Sequence, residues 1–178
     1  ISQSNNTVTV NDKTPPTITM AVADSDGNSL SSGSTTNDAS LSFTFTISEA
    51  TTNFASNDVT LSGGTISSFS ATSSTVYTAT FTPSADGATT VDVGASVFTD
   101  AGGNGNTAAA QYTWTYDGTP SIISSVSLAS DNSTIAVTMN EVVYNTTLGS
   151  GAVEMSDFTL SISGGSATMA SATPSSIS

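Results

Sequence analysis

Apolar and polar residues alternate with a period of two along most of this chain. Leu41, Phe43, Phe45 and Ile47 are separated by Ser42, Thr44 and Thr46, and Ile18, Met20 and Val22 by Thr19 and Ala21. Tyr77, Ala79 and Phe81 repeat the pattern, as do Tyr112, Trp114 and Tyr116, and Ile135, Val137 and Met139. Successive side chains of a strand point to opposite faces. Each run therefore sends its apolar set to one face and its hydroxyls to the other, as a half-solvated antiparallel sheet requires. No window carries the 3.6-residue period of an amphipathic helix. The predicted fold is all-β.

Turn chemistry separates the runs at short spacing: Asp24-Ser-Asp26-Gly27-Asn28, Gly63-Gly64, Ala85-Asp86-Gly87 and Asp100-Ala-Gly-Gly-Asn104 each supply residues that tolerate positive φ. Short strands between such turns predict tandem immunoglobulin-like antiparallel β-sandwich domains, without the cysteine pair of antibody domains. The predicted core contains Ile18, Met20, Phe43, Phe45, Ile47, Leu61, Tyr77, Phe81, Val91, Val93 and Val97, and Trp114 is assigned to core or inter-domain packing.

An internal repeat orders these elements. Asp12-Lys-Thr-Pro15 matches Asp117-Gly-Thr-Pro120, Phe45-Thr-Ile-Ser-Glu49 matches Val137-Thr-Met-Asn-Glu141, and Ser56-Asn-Asp58 matches Ser156-Asp157 with small insertions. The expected organisation is a last strand of a preceding unit over 1–11, one complete module over 12–117, and the N-terminal part of a second, incomplete module over 118–178. Neither end reads as a domain boundary, so a window from a longer tandem array is expected.

Composition narrows the chemistry. The chain has 34 serines and 32 threonines among 178 residues, 14 acids against the single base Lys13, a net charge of -13, and no histidine or cysteine. The last two absences exclude Ser-His-Asp and Cys-His catalysis and ordinary zinc or iron–sulfur ligation. One base cannot neutralise a phosphate backbone, so no nucleic-acid partner is expected. No apolar run is long enough to span a bilayer, and no secretory leader is expected in this window. Zero cysteines beside an acidic, hydroxyl-rich surface point to an extracellular bacterial setting.

With Asp-x-Thr-Pro-Pro16 opening the module, Ile47-Ser-Glu-Ala50 in its middle and Thr99-Asp-Ala-Gly-Gly-Asn104 near its end, residues 12–117 resemble the bacterial Ig-like repeats of giant surface adhesins. The second unit is similar to repeats of large cell-surface proteins in Bacteroidetes, including gliding adhesins. The resemblance implies an extracellular, cell-surface stalk of stacked sandwiches, rigidified by calcium at its junctions, with no catalytic activity and with neighbouring repeats of the same chain as partners.

Calcium takes six to eight oxygen ligands. In a sandwich of this strand order, the loop carrying Glu49 and the loop carrying Asp100 and Asn104 lie at the pole where the chain enters past Asp12. Asp117 and Glu141 are the equivalents at the next junction. Asp24, Asp26 and Asn28 are a weaker candidate, since the position for a bidentate glutamate holds Thr35. The bland alternative is that these residues only shape turns. Two rival readings remain: a module gripping glycan or protein through a threonine-rich face, and a filament subunit whose residues 1–11 complete another copy's sheet by strand addition.

Overall fold

A computed structural model describes residues 11–146, 151–164, 166, 168 and 171–177. The strand expected over 1–11 falls almost wholly outside these residues. The chain divides into two compact units, residues 1–118 and 119–178.

Among the described residues, the first unit has nine strands: β1 Ile18–Ala23, β2 Ser29–Leu30, β3 Thr35–Thr36, β4 Leu41–Ile47, β5 Val59–Ser62, β6 Gly64–Ala71, β7 Val76–Pro83, β8 Gly87–Val93 and β9 Tyr112–Tyr116. They form one sheet in the order β2-β1-β4-β7-β6 and a second in the order β3-β9-β8-β5. All pairings are antiparallel except β3 with β9, a two-residue parallel contact that an all-antiparallel expectation did not include. Where β5 passes into β6, a Cβ at Gly64 would overlap the Phe81 ring, so glycine is required for the chain to change sheets there.

The alternating positions meet between the sheets. Leu41, Phe43, Phe45 and Ile47 from β4 and Tyr77, Ala79 and Phe81 from β7 face Val91, Val93, Tyr112 and Trp114 from the second sheet, and all are buried. Aromatic rings run through this layer: Phe81 and Trp114 meet edge to face with centroids 4.6 Å apart, and Phe54 meets Tyr77 likewise at 5.1 Å. Trp114 Nε1 is buried without a hydrogen-bond partner among the described residues. Met20 and Leu61 pack at the margin of this core as partly buried residues. Val97 does not join it. At 37% exposed, it lies in the long β8–β9 loop, where no strand ladder fixes its phase, and its neighbour Phe98 turns inward instead.

The second unit contains β10 Ile123–Leu128 and β11 Ile135–Met139, paired antiparallel with a register shift between Ile123 and Ser125. Its alternation puts Ile135, Val137 and Met139 on one face, with no covering layer specified by the sequence. Val126 is 59% and Val137 40% exposed, and among the described residues of this unit no second sheet lies against them. The two units share local geometry. Ser48 N donates to Thr17 O at 2.9 Å while Ser48 Oγ accepts from Thr17 N, and Asn140 repeats both contacts with Ile122. One 3₁₀ turn, Ser56–Asp58, has Asp58 accepting from Ala55 N at 2.8 Å. Asp157 in Met155–Asp157 accepts from Glu154 N at the same distance. Among the described residues no helix is long and apolar enough to cross a membrane.

Candidate metal centre

Two loops and the entering linker build the site. The β4–β5 loop is lashed to the β8–β9 loop by buried Thr51, whose Oγ1 donates to Thr99 O at 2.7 Å, and by Asn53, whose Oδ1 accepts from Thr99 N at 3.1 Å. A backbone bridge joins Thr51 to Asp100. Inside the β8–β9 loop, fully buried Asn106 accepts from Val97 N and Phe98 N at 2.9 and 3.0 Å and donates to Gly94 O and Thr107 O at 2.8 Å each. Every hydrogen-bonding atom of that amide is satisfied, which fixes the loop from within. The linker is seated by buried Pro16, whose carbonyl accepts from Thr107 N at 2.9 Å.

These supports bring Asp12, Glu49 and Asp100 together. One carboxylate oxygen from each lies within 4.8 Å of the others. Asp100 is buried, Glu49 half-buried and Asp12 exposed. Loss of hydration, then repulsion from Asp12 and Asp100, pushes the Glu49 carboxyl above its ordinary value. Asp100 is held below its own, chiefly by the Asn104 side chain and then by backbone N–H groups of its own turn. Asn104 Nδ2 donates to Asp100 Oδ2 at 2.8 Å and to Asp12 O at 3.2 Å. Asn104 therefore faces the acids with nitrogen and braces Asp100, where an oxygen donor had been expected. Gly102 lies close underneath, since a Cβ there would come 3.2 Å from Asp12 Cβ and 3.3 Å from Asp100 Oδ1.

Three carboxylates from three chain segments form an oxygen-only donor set in a protein whose one base is Lys13. Such a set suits a hard, oxygen-seeking divalent ion such as calcium, and carbonyls and water would complete the shell.

The other candidates are placed differently. Asp24 accepts from Asp26 N at 3.0 Å, from Asn28 N at 2.7 Å and from Asn28 Nδ2 at 3.1 Å, so its carboxylate is used in closing the β1–β2 turn. Asp26 and Asn28 line that turn, and the carboxylate cluster does not include them. Asp38, which sequence reasoning passed over, takes hydrogen bonds from Ser25 and Thr36 that lower its carboxyl. Asp117 donates its backbone N–H to Thr36 O at 3.0 Å in the first unit. Glu141 lies in the second, with Oε1 closed off from solvent and without a hydrogen-bond partner among the described residues. Thr51, Asn53 and Asn106 also escaped sequence reasoning. Their only signal is composition, polar residues in loops of a chain full of them.

A family model described as a bacterial Ig-like domain matches residues 12–116, more than half of the chain. No curated protein and no solved structure matches it.

Proposed function

Because the chain belongs to the bacterial Ig-like domain family, we propose that it is a structural, non-catalytic spacer segment of a large extracellular bacterial surface adhesin, in which a calcium ion held by Asp12, Glu49 and Asp100 fixes the entering linker to the pole of the sandwich. The observation that carries this reading is the meeting of a linker acid with acids of two separate loops. An ion bound there joins the path into the module to the module itself, so an incoming neighbour inherits a fixed direction. The repeated local geometry at Thr17 and Ile122 supports a tandem arrangement, and the unpartnered Glu141 Oε1, at the sequence position equivalent to Glu49, is consistent with a related site in the next unit. The adhesin setting and the likeness to Bacteroidetes surface repeats belong to the same proposal.

Thermal unfolding with calcium and with chelator tests it. Calcium at about a hundred times its Kd adds about 2.7 kcal/mol to a site present only in the folded state. The midpoint of the first unit should rise with calcium, and Glu49→Gln should remove most of the rise. Equal midpoints in calcium and chelator would refute the cation.

A further inference from the structure

Asn104 is followed by Gly105, the one Asn-Gly pair in the chain. In such a pair the glycine backbone nitrogen attacks the asparagine Cγ, the C–N bond to the side-chain amide breaks, and ammonia leaves behind a cyclic succinimide. Water then opens the ring to aspartate or isoaspartate, adding one negative charge. Glycine favours the step because no Cβ shields its nitrogen. The bridge between Thr99 and Gly105 is made by Asp100 N donating to Asn104 O at 3.2 Å and Asn106 N donating to Phe98 O at 3.0 Å, so Gly105 N stands outside its hydrogen bonds.

We propose that Asn104 is a site of spontaneous deamidation, and that its conversion turns the three-carboxylate cluster of Asp12, Glu49 and Asp100 into a four-carboxylate one. The folded loop restrains the step. Asn104 N donates to Asp100 Oδ1 at 2.8 Å while Nδ2 is held by Asp100 Oδ2 and Asp12 O, and Cγ must leave these contacts to reach Gly105 N. Conversion therefore proceeds through opening of the β8–β9 loop and reports how often it opens. The product lacks both side-chain donors and sets an oxygen where Nδ2 stood, 2.8 Å from Asp100 Oδ2. Like charges at that separation repel, so the modified linker and loop hold together less well without a cation. The isoaspartate branch also lengthens the backbone inside a turn that depends on Gly103 at φ 83°.

The test is peptide mapping by mass spectrometry of the whole chain, incubated in chelator so that the outcome does not depend on bound calcium. One sample is native and one is unfolded in urea. The expected result is acid and isoaspartate forms at Asn104 ahead of every other asparagine in urea, with conversion about tenfold or more slower in the native sample, since it scales with the population of the open loop. An Asn104→Asp variant should melt below the parent chain in chelator. Equal rates in the two samples, an unmodified Asn104 while other asparagines convert, or an Asn104→Asp variant as stable as the parent would each overturn the proposal.

Discussion

Asn104 grips both oxygens of Asp100: its backbone N–H reaches Oδ1 and its side-chain amide reaches Oδ2, each at 2.8 Å. Asn28 holds Asp24 by the same two bonds, at 2.7 and 3.1 Å. In both turns the preceding glycine has positive φ, 83° at Gly103 and 86° at Gly27, and donates back to the aspartate carbonyl. The two turns are chemically alike. What distinguishes the Asp100 turn is its company, Asp12 and Glu49.

That contrast separates a structural from a cation-linked role. Asn28→Ala and Asn104→Ala each remove a hydrogen bond to a carboxylate and should each lower stability, read from urea unfolding in chelator. Only Asn104→Ala should also change the response to calcium, because only Asp100 belongs to the cluster. Equal calcium responses in the two variants would argue against the assignment.

Acidification should act in two stages. The Glu49 carboxyl lies above its ordinary 4.5, so its charged form disfavours the folded state in chelator. Stability should rise as pH falls through that raised value and stop rising below 4.5. Asp100 and Asp38 lie below their ordinary 3.8, so their contribution is present above 3.8 and lost as pH falls through the lowered values. The melting midpoint in chelator should therefore climb and then drop. In calcium the climb should be absent, since the proton on Glu49 competes with the ion. Glu49→Gln should abolish the climb; a climb of the same size in that variant would assign it to other groups.

Asn106 is the internal brace of the β8–β9 loop. Replacing it with alanine leaves Val97 N and Phe98 N without their acceptor, and Phe98 N is buried. The expected loss is about 2–6 kcal/mol, from roughly 1–3 kcal/mol for each of the two unsatisfied N–H groups, measured by urea unfolding of the first unit. Calcium affinity should fall with it, as Asp100 depends on the same loop.

The apolar face of β10 and β11, exposed among the described residues, should bind a fluorescent dye that reports apolar surface. Val126→Thr with Val137→Thr keeps strand propensity and removes two exposed apolar side chains, so dye fluorescence should fall while the first unit's melting midpoint stays unchanged. Undiminished fluorescence would place the dye site elsewhere.

The first sandwich was largely legible because period-two alternation states which residues share a face, and for Phe43, Phe45, Tyr77 and Phe81 that face is the core. The same signal at Ile135 and Val137 identified a face but not what covers it, since alternation carries no information about the opposing layer. Val97 was misplaced because its backbone N–H bonds to the Asn106 side chain and no ladder sets its phase. The meeting of Asp12, Glu49 and Asp100 followed from strand order, which puts their segments at one pole. The direction in which Asn104 points did not, because it depends on a local contest between hydrogen bonds that sequence spacing does not encode.

Anomalous diffraction from crystals grown in saturating calcium addresses the central claim most directly. The expected result is a calcium peak enclosed by carboxylate oxygens of Asp12, Glu49 and Asp100, lost in Glu49→Gln crystals. Well-ordered density for the three side chains with no peak between them would contradict the account.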